Sequence, residues 1–411
     1  MMLNRHQEVD RLNDLKHLYT LEKLLESANN DLVQRACADG RHAVAYTCYH
    51  MPEVLLNAGN CFSVRLRAPL TGSMDISGYY MNNFICDYCK SILERGIEGG
   101  YNFLSAIMGT ETCSEMNRAL EHFEVKRLIE KPDFFVSFLD MPFKTTEAAV
   151  KHYTTQLQIK VLDRLHDAFG TDVSDLSLRK AVEEHNEVCR LITEIGQYRK
   201  EANPRITGYE FSVLNVASYT CPKDLILPYL RETAEELKTR RPDDKPAWRV
   251  KIVIAGSEID DPSFIKLVED AGALVVADRF CFGSTPGREE IVLSPDKPAL
   301  EQIARHYLTT SQCPRYMEKA KVDGRHQLVK RLVHDYHAQG VLYEQLKFCE
   351  FWGYERALAS YVMTHDYGIP SVAIDRQNAN GGAGQLRTRV QAFVESLEIK
   401  QINAAKGGGK R

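Results

Sequence analysis

Apolar and polar positions divide the chain into segments of two kinds. Residues 1–35 place apolar side chains at helical spacing among charged ones, which predicts N-terminal surface helices. Residues 144–245 carry longer amphipathic patterns and predict a mainly helical connector. Elsewhere, short β-prone apolar runs alternate with helix-length stretches. These runs cover residues 43–49, 62–66, 132–139, 250–255, 273–277, 340–343 and 371–375.

Strands that alternate with helices are typical of parallel α/β sheets. We therefore expect an α/β fold with one lobe at residues 36–143, a second at residues 246–400 and a flexible tail at residues 401–411. The stretches AVAYTCYHMPEVLLNAGNCFSVRL and VKIVIAGSEIDDPSFIKLVEDAGALVVADRF both run strand, loop, helix, Ala-Gly, strand, which indicates a duplicated fold. Two such lobes form a cleft at the carboxyl ends of their strands, so we expect a site built from both.

Composition narrows the classes of partner. The 411 residues are 44% hydrophobic and 26% charged, as in an ordinary soluble protein, and the net charge of −4 gives no broad cationic field. We therefore expect no binding of nucleic acid or of an anionic membrane. No run is long enough to cross a bilayer, and the charged N-terminus lacks the apolar core of a signal peptide, so the cytoplasm is the expected location.

Eleven cysteines are spread along the chain, and their positions are informative. Cys86 and Cys113 stand at junctions between a loop and a helix, and Cys349 ends a strand that runs into a helix. Cys281 follows a strand, and Cys313 lies in the stretch SQCPRYM. The start of a helix lowers the pKa of a thiol and so favours the thiolate that a metal needs.

The Cys86-x-x-Cys89 pair is compatible with three kinds of site. A zinc site needs a second pair at similar spacing, which the sequence lacks. A redox dithiol also opens a helix, but it is normally the sole cysteine feature of its site. Several separated cysteines at strand ends instead favour an iron–sulfur cluster held by thiolates from both lobes.

Four other cysteines have a simpler interpretation. Cys37 and Cys189 lie in helical segments and are expected to be small buried hydrophobes. Cys48 and Cys61 lie near the first strands and could approach a site. A structural role is the favoured interpretation for both.

Five stretches together resemble the family of 2-hydroxyacyl-CoA dehydratases and benzoyl-CoA reductases, and the resemblance covers most of the chain. They are FICDYCKSILERG, GTETCSEM, ALVVADRFCFGSTPGRE, QLKFCE and GIPSVAIDRQNANGGAGQLRTRVQAFVESLE. The resemblance implies two flavodoxin- or Rossmann-like lobes. It also implies a [4Fe–4S] cluster bound by Cys86, Cys113 and Cys349 with one open iron, and makes Cys89 a neighbour of the cluster rather than a ligand.

The resemblance implies an activity and partners as well. A separate ATP-hydrolysing iron–sulfur activator would reduce the cluster by one electron, and a ketyl radical would form on an acyl-CoA thioester and lose its 2-hydroxyl group. A homologous second subunit, or a second copy of this chain, would complete the enzyme. The sequence has no Gly-x4-Gly-Lys-Ser/Thr loop, so ATP would bind to the partner.

Other activities in the same family stay open. Cys281 and Cys313 resemble ligand positions of a branch whose six cysteines hold a double-cubane [8Fe–9S] cluster and which reduces small molecules. The sixth position of that branch falls at Leu66 or its neighbour, so either Cys61 or Cys89 substitutes, or the chain binds one cluster. An aromatic acyl-CoA reductase and a non-catalytic electron-relay subunit are further alternatives.

Two polar features are further candidates. Glu53 resembles the acidic residue that the family places near its substrate, although a carboxylate in the first turn of a helix is also favoured by the helix dipole alone. The glycine-rich loop at residues 378–384, with Arg387 in the helix that follows, could bind a phosphate or a carboxylate.

Overall fold

The computed structural model describes residues 14–69, 71–285, 288–377 and 383–407. The described chain begins with two short helices, α1 (Leu18–Leu25) and α2 (Asp31–Ala38). Asn30 caps α2, because its side chain accepts hydrogen bonds from two backbone amides of the first turn. Predicted helices are therefore present in this segment, and residues 1–13 lie outside the described residues.

The first lobe contains a four-stranded parallel sheet with the strand order β2-β1-β3-β4. Alternate residues of its strands pack into different apolar cores, with Ala43 and Ala45 on one face and Val44 and Tyr46 on the other. Helices cover both faces, which explains why the strands are apolar throughout. The elements are β1 (His42–Tyr46), β2 (Cys61–Arg65), α3 (Asp75–Tyr80), α4 (Asp87–Ile97), β3 (Ala106–Thr110), α5 (Ser114–Val125) and β4 (Phe135–Leu139).

A run of helices joins the two lobes. It consists of α6 (Glu147–Leu157), a π-helical turn (Gln158–Leu162), α7 (Asp163–Phe169), α8 (Asp175–Gln197), α9 (Gly208–Thr220) and α10 (Lys223–Thr239). Helix α9 begins with a capping box between Thr207 and Glu210. It is buried on nearly every side and contacts strand β2 of the first lobe, which places it between the lobes.

The second lobe repeats the topology of the first, with a parallel sheet in the order β6-β5-β7-β8. In both sheets the strand order therefore reverses beside the first strand of the lobe, where open α/β folds form a crevice. The elements are β5 (Val250–Gly256), α11 (Ser263–Asp270), β6 (Ala273–Phe280), α12 (Ala299–Thr310), α13 (Lys319–Asp335), β7 (Gly340–Leu346), α14 (Glu350–His365), β8 (Ser371–Arg376) and α15 (Ala383–Gly407).

The predicted α/β fold with two parallel-sheet lobes is confirmed, as is the repeated order of elements. Strand β3 was not predicted, because AIMGT contains a glycine and has neither a β-branched run nor an alternating pattern. Helix α15 runs through Gly407, so the predicted tail is helical as far as it is described. The domain boundaries stay predictions.

Residues 378–382 of the glycine-rich loop and residues 408–411 lie outside the described residues. Within the described segments, no helix is both long enough and apolar enough to cross a membrane.

Candidate functional site

A large cavity joins the two lobes at the carboxyl ends of their strands. The empty space in it and at its mouth, open solvent included, is about 1160 Å³. Thr47 and Thr110 line it from the first lobe, and Ser257 and Leu346 line it from the second. All eleven cysteines lie in described segments, and seven of them line this cavity: Cys48, Cys86, Cys89, Cys113, Cys281, Cys313 and Cys349.

Three of these cysteines occupy equivalent positions and are called here the first thiol set: Cys86, Cys113 and Cys349. Each is the N-cap residue of a helix, and these helices are α4, α5 and α14. Their predicted places at helix starts are therefore confirmed. The N-terminus of a helix carries partial positive charge and unpaired backbone N–H groups, which favour a thiolate at these positions. At Cys349, burial outweighs this effect and raises the pKa well above its ordinary value.

Cys89 lies one turn into α4 and is buried. The sulfur atoms of Cys86 and Cys89 and a carboxylate oxygen of Glu115 all lie within 4.8 Å of one another. Hydrogen bonds with the Cys113 and Cys86 sulfurs raise the pKa of Cys89 well above its ordinary value, and the bond from Cys89 lowers the pKa of Cys113. Cys89 is thus in direct contact with the first thiol set.

The three remaining cysteines of the cavity wall, Cys48, Cys281 and Cys313, are called here the second thiol set. All three lie in loops, after β1, after β6 and after α12. The Thr112 hydroxyl donates to the Cys48 sulfur over 3.5 Å, and His50 Nδ1 lies 3.5 Å from the same sulfur. Burial raises the pKa of Cys313 to about 12, and the neighbouring Cys48 contributes to the same shift.

Charged and polar side chains surround the second thiol set. Arg65 Nη2 donates to the Cys281 carbonyl over 2.8 Å and to Glu258 Oε1 over 3.2 Å. Burial raises the pKa of Glu258 to about 7, against the opposing effect of Arg65. Burial lowers the pKa of His50 to about 3, so this ring is neutral when its Nε2 pairs with Ser311 Oγ at 2.7 Å.

Glu53 lies in a 3₁₀ turn (Glu53–Asn57) and does not line the described part of the cavity. Its Oε2 accepts hydrogen bonds from Tyr46 Oη at 2.6 Å and Lys223 Nζ at 3.0 Å, and His185 Nδ1 lies 3.3 Å from Oε1. Burial alone would raise the pKa of Glu53, but Lys223 and His185 hold it well below its ordinary value. The catalytic role of Glu53 stays a prediction.

The cysteines that were expected to be structural lie in different places. Cys61 is at the amino end of β2, and its sulfur lies 3.2 Å from Thr171 Oγ1. Cys189 is buried in α8 beside His185. Cys37 is half-buried on α2. Among the described residues, none of these three lines the cavity.

Two residues of the cavity, Cys48 and Glu258, were not predicted as site residues from the sequence. Cys48 closely follows the first strand, as Cys281 follows β6, and the same position after a strand could have identified it. Glu258 closely follows β5, at the carboxyl edge of the second sheet. The structure brings both together with the predicted cysteines in one cavity.

The cysteine side chains of the cavity are of the kind that binds an iron–sulfur cluster. Thiolates are the usual protein ligands of such clusters, and three helix N-termini direct thiols into a common space. The cavity also contains additional thiols on its second-lobe side.

Comparisons with known proteins point to one family. Residues 48–397 match the family model described as 2-hydroxyglutaryl-CoA dehydratase, D-component. The chain is 22% identical to the (R)-phenyllactyl-CoA dehydratase beta subunit of Clostridium sporogenes, covering 94% of this chain and 100% of that protein. It is 19% identical to a benzoyl-CoA reductase subunit of Thauera aromatica, with 87% and 92% covered, and 20% identical to the lactoyl-CoA dehydratase beta subunit of Anaerotignum propionicum, also with 87% and 92% covered.

Proposed function

Because the chain belongs to the family of the 2-hydroxyglutaryl-CoA dehydratase D-component, we propose that it is the iron–sulfur subunit of a 2-hydroxyacyl-CoA dehydratase-type enzyme. The reaction is elimination of water from an (R)-2-hydroxyacyl-CoA by a ketyl-radical mechanism. The electron comes from a separate ATP-hydrolysing iron–sulfur activator. The observation that carries this proposal is the convergence of the first thiol set at three helix N-termini in one cavity.

The first thiol set is the proposed ligand set of a [4Fe–4S] cluster. When bound, such a cluster supplies single electrons and Lewis-acidic iron. The three helix N-termini stabilise the negative charge of the thiolates. Glu115 Oε2 accepts a hydrogen bond from the Cys86 backbone N–H over 3.1 Å, which ties the start of α4 to the first turn of α5.

The cavity wall is suited to a radical reaction because it combines apolar and hydroxyl side chains. Met116, Phe351 and Trp352 are apolar groups that exclude water from the reacting atoms. Thr110 and Ser257 place hydroxyls where they can bond polar groups of a substrate. The acyl group is accordingly expected inside the cavity, and the larger CoA portion outside it.

We further propose that a homologous chain, or a second copy of this one, completes the enzyme. The similar proteins are all named as subunits, two of them of dehydratases and one of a reductase. A turnover assay should therefore contain this chain alone and this chain with its candidate partner subunit.

The test is an anaerobic assay with reduced activator, ATP and a panel of (R)-2-hydroxyacyl-CoAs, in which the enoyl-CoA product is identified by mass spectrometry. We expect dehydration of at least one substrate. Cys113→Ala should lose the first-set cluster and lower turnover by more than about 100-fold, because a cubane with two remaining thiolates is poorly held. Cys37→Ser is the matched control, because this half-buried cysteine is not among the described residues that line the cavity, and it should keep full activity.

Two results would contradict the proposal. One is turnover that is unchanged in Cys113→Ala. The other is a folded, anaerobically prepared protein that binds no iron after reconstitution with iron and sulfide.

An ATP-dependent reductase of the benzoyl-CoA reductase or double-cubane type is the second candidate. It is favoured by Cys281 and Cys313, which line the same cavity as the first thiol set. Product analysis separates the candidates, because a dehydratase returns its electron after each turnover and a reductase consumes electrons in proportion to product. Steady consumption of reduced activator without loss of a hydroxyl group would favour the reductase.

A further inference from the structure

The loop after strand β1 places a thiol and an imidazole side by side on the wall of the cavity. Cys48 and His50 both line the cavity, and Cys48 is half-buried while His50 is only 1% exposed. The Cys48 sulfur lies 3.5 Å from His50 Nδ1 and accepts a hydrogen bond from the Thr112 hydroxyl, also over 3.5 Å. The thiol therefore has a proton acceptor and a hydrogen-bond donor beside it.

The imidazole of His50 is held in a fixed orientation. Ser311 Oγ lies 2.7 Å from His50 Nε2 and also accepts a hydrogen bond from the Cys313 backbone N–H over 3.3 Å. The hydroxyl of Tyr153 donates to the His50 carbonyl. When Nε2 carries the ring proton and donates to Ser311 Oγ, Nδ1 is the acceptor that lies at the Cys48 thiol. A nucleophile, a base within reach and a third group that orients the base are the parts of an activated thiol.

Two arginines on the same wall provide an independent observation. Arg65 and Arg279 line the cavity, and each is 2% exposed. Within the described ranges, the Nε atom of each has no hydrogen-bond partner. Arg65 pairs with Glu258, whereas Arg279 donates to the neutral Gln312 carbonyl. A buried guanidinium with an unused donor favours an oxygen that carries negative charge, so Arg279 in particular is suited to stabilise such an oxygen on a bound molecule.

We propose that Cys48 is a nucleophile that adds, with His50 as its base, to the β-carbon of a 2-enoyl thioester bound in the cavity. The choice of this electrophile rests on the proposed function, whose product is a 2-enoyl-CoA. A thiolate is a soft nucleophile, and a carbon conjugated to a thioester carbonyl is a soft electrophile. Product and thiol therefore meet in one cavity.

The addition step balances without any other reactant. His50 Nδ1 takes the proton of the Cys48 thiol while the bond from Sγ to the β-carbon forms and the C=C π bond breaks. The electron pair moves to the thioester oxygen, where Arg279 stabilises the negative charge. His50 then returns the proton to the α-carbon. Nothing is oxidised and no group leaves, so the step is reversible, and accumulated product would occupy the cavity as a thioether and slow the enzyme.

The test is peptide mass spectrometry of the anaerobically reconstituted full-length protein after incubation with but-2-enoyl-CoA. The Cys48 peptide should gain the whole mass of the probe. It should do so about 100-fold faster than the Cys37 peptide of the same digest, because general acid–base assistance contributes about that factor. Cys37 is an internal control, since it is half-buried and is not among the described residues that line the cavity. Butanoyl-CoA, which has no conjugated double bond, should give no adduct.

Two variants test the role of the imidazole. His50→Gln should slow the modification of Cys48 by about 100-fold, because an amide does not take up the proton. Ser311→Ala keeps the base and removes its partner, so it should slow the modification by roughly ten-fold, and it serves as the second variant if His50→Gln does not fold. Folding is checked by circular dichroism.

Three results would overturn the proposal. They are modification of Cys48 no faster than that of Cys37, a wild-type rate in folded His50→Gln, and a mass gain of the acyl group alone, which would show thioester exchange. In each case, dehydration by the wild-type protein would leave the proposed function standing. A folded wild-type protein without any iron would instead overturn the proposed function, and the rate at Cys48 would still be measured against Cys37.

Discussion

The two thiol sets share one cavity but lie in different local structures. Each cysteine of the first set caps a helix, where backbone dipoles favour negative charge on its sulfur. Each cysteine of the second set lies in a loop, burial raises the pKa of Cys281 and Cys313, and the buried Arg65 beside them already pairs with Glu258. The two sets therefore differ in the backbone support that a thiolate would receive. The first set should depend on helix placement.

The placement of α14, which carries Cys349 at its start, depends on a buried ion pair. Arg325 of α13 donates to Glu355 of α14 through Nε at 3.0 Å and Nη2 at 2.7 Å. Glu355→Ala leaves the Arg325 charge unpaired and should lower the free energy of unfolding by about 3–5 kcal/mol, measured by urea denaturation. Because α14 positions Cys349, loss of first-set iron should accompany the destabilisation.

The control for this variant is Glu147→Ala, which removes a similar pair with Arg305 on the surface. An exposed pair contributes about 1 kcal/mol or less, so this variant should be nearly as stable as wild type. Equal destabilisation by the two substitutions would show that burial of the α13–α14 pair is not what anchors the first set.

The same pair predicts how stability depends on pH. Burial alone would raise the pKa of Glu355, but His326 and Arg325 lower it to about 2. Since the folded-state pKa is below the unfolded one, the stabilisation is present above about pH 4.5 and is lost as the pH falls towards 2. The loss should be about 3 kcal/mol over this range in the apo protein, measured by denaturation at a series of pH values.

Glu355→Gln tests this assignment, because the amide keeps the shape of the side chain and does not titrate. Between pH 5 and pH 2, the free energy of unfolding of wild type should fall by about 3 kcal/mol more than that of this variant. Parallel pH profiles for the two proteins would assign the acid sensitivity to other carboxylates.

The smallest effect is expected from a cation beside the second thiol set. Arg279→Met keeps much of the side-chain length and its contact with Trp352 but removes the charge. If the double-cubane alternative holds, this variant should retain less iron at Cys281 and Cys313, so that total iron falls about two-fold after dialysis against a chelator. Iron at the first set should be unchanged, as followed by the EPR spectrum of the reduced protein.

A matched control for Arg279→Met is Arg199→Met. Arg199 is also a buried arginine and pairs with Asp278, but it does not line this cavity in the described structure. If both variants lose the same iron, general destabilisation and not local charge would be the cause.

The helix-start positions of the first thiol set were accessible from the sequence because a cysteine before a helix-like stretch is a local pattern, whereas their grouping as ligands came from the family resemblance. Each of Cys86, Cys113 and Cys349 could be assigned to a helix start without knowledge of distant residues. The alternation of strands and helices likewise predicted the fold. Strand β3 escaped because its five residues contain a glycine and no periodic signal.

Cys281 and Cys313 of the second thiol set were named from the sequence through the resemblance, but Cys48 was not joined to them because the contacts around this set are tertiary. Arg65 lies in β2 and reaches the Cys281 carbonyl in the other lobe. Glu53 also depends on contacts between distant parts of the chain, because its partners Lys223 and His185 come from the helical connector. Such pairs depend on how the lobes pack, and no local sequence pattern predicts that packing.

The most direct test of cluster binding by the first thiol set is a crystal structure of the anaerobically reconstituted protein, with anomalous diffraction measured on both sides of the iron absorption edge. We expect iron peaks in the cavity against the Cys86, Cys113 and Cys349 sulfurs, and further iron peaks against the Cys281 and Cys313 sulfurs would favour the double-cubane alternative. A cavity without iron anomalous density, with its thiols free or joined as disulfides, would contradict the proposed function.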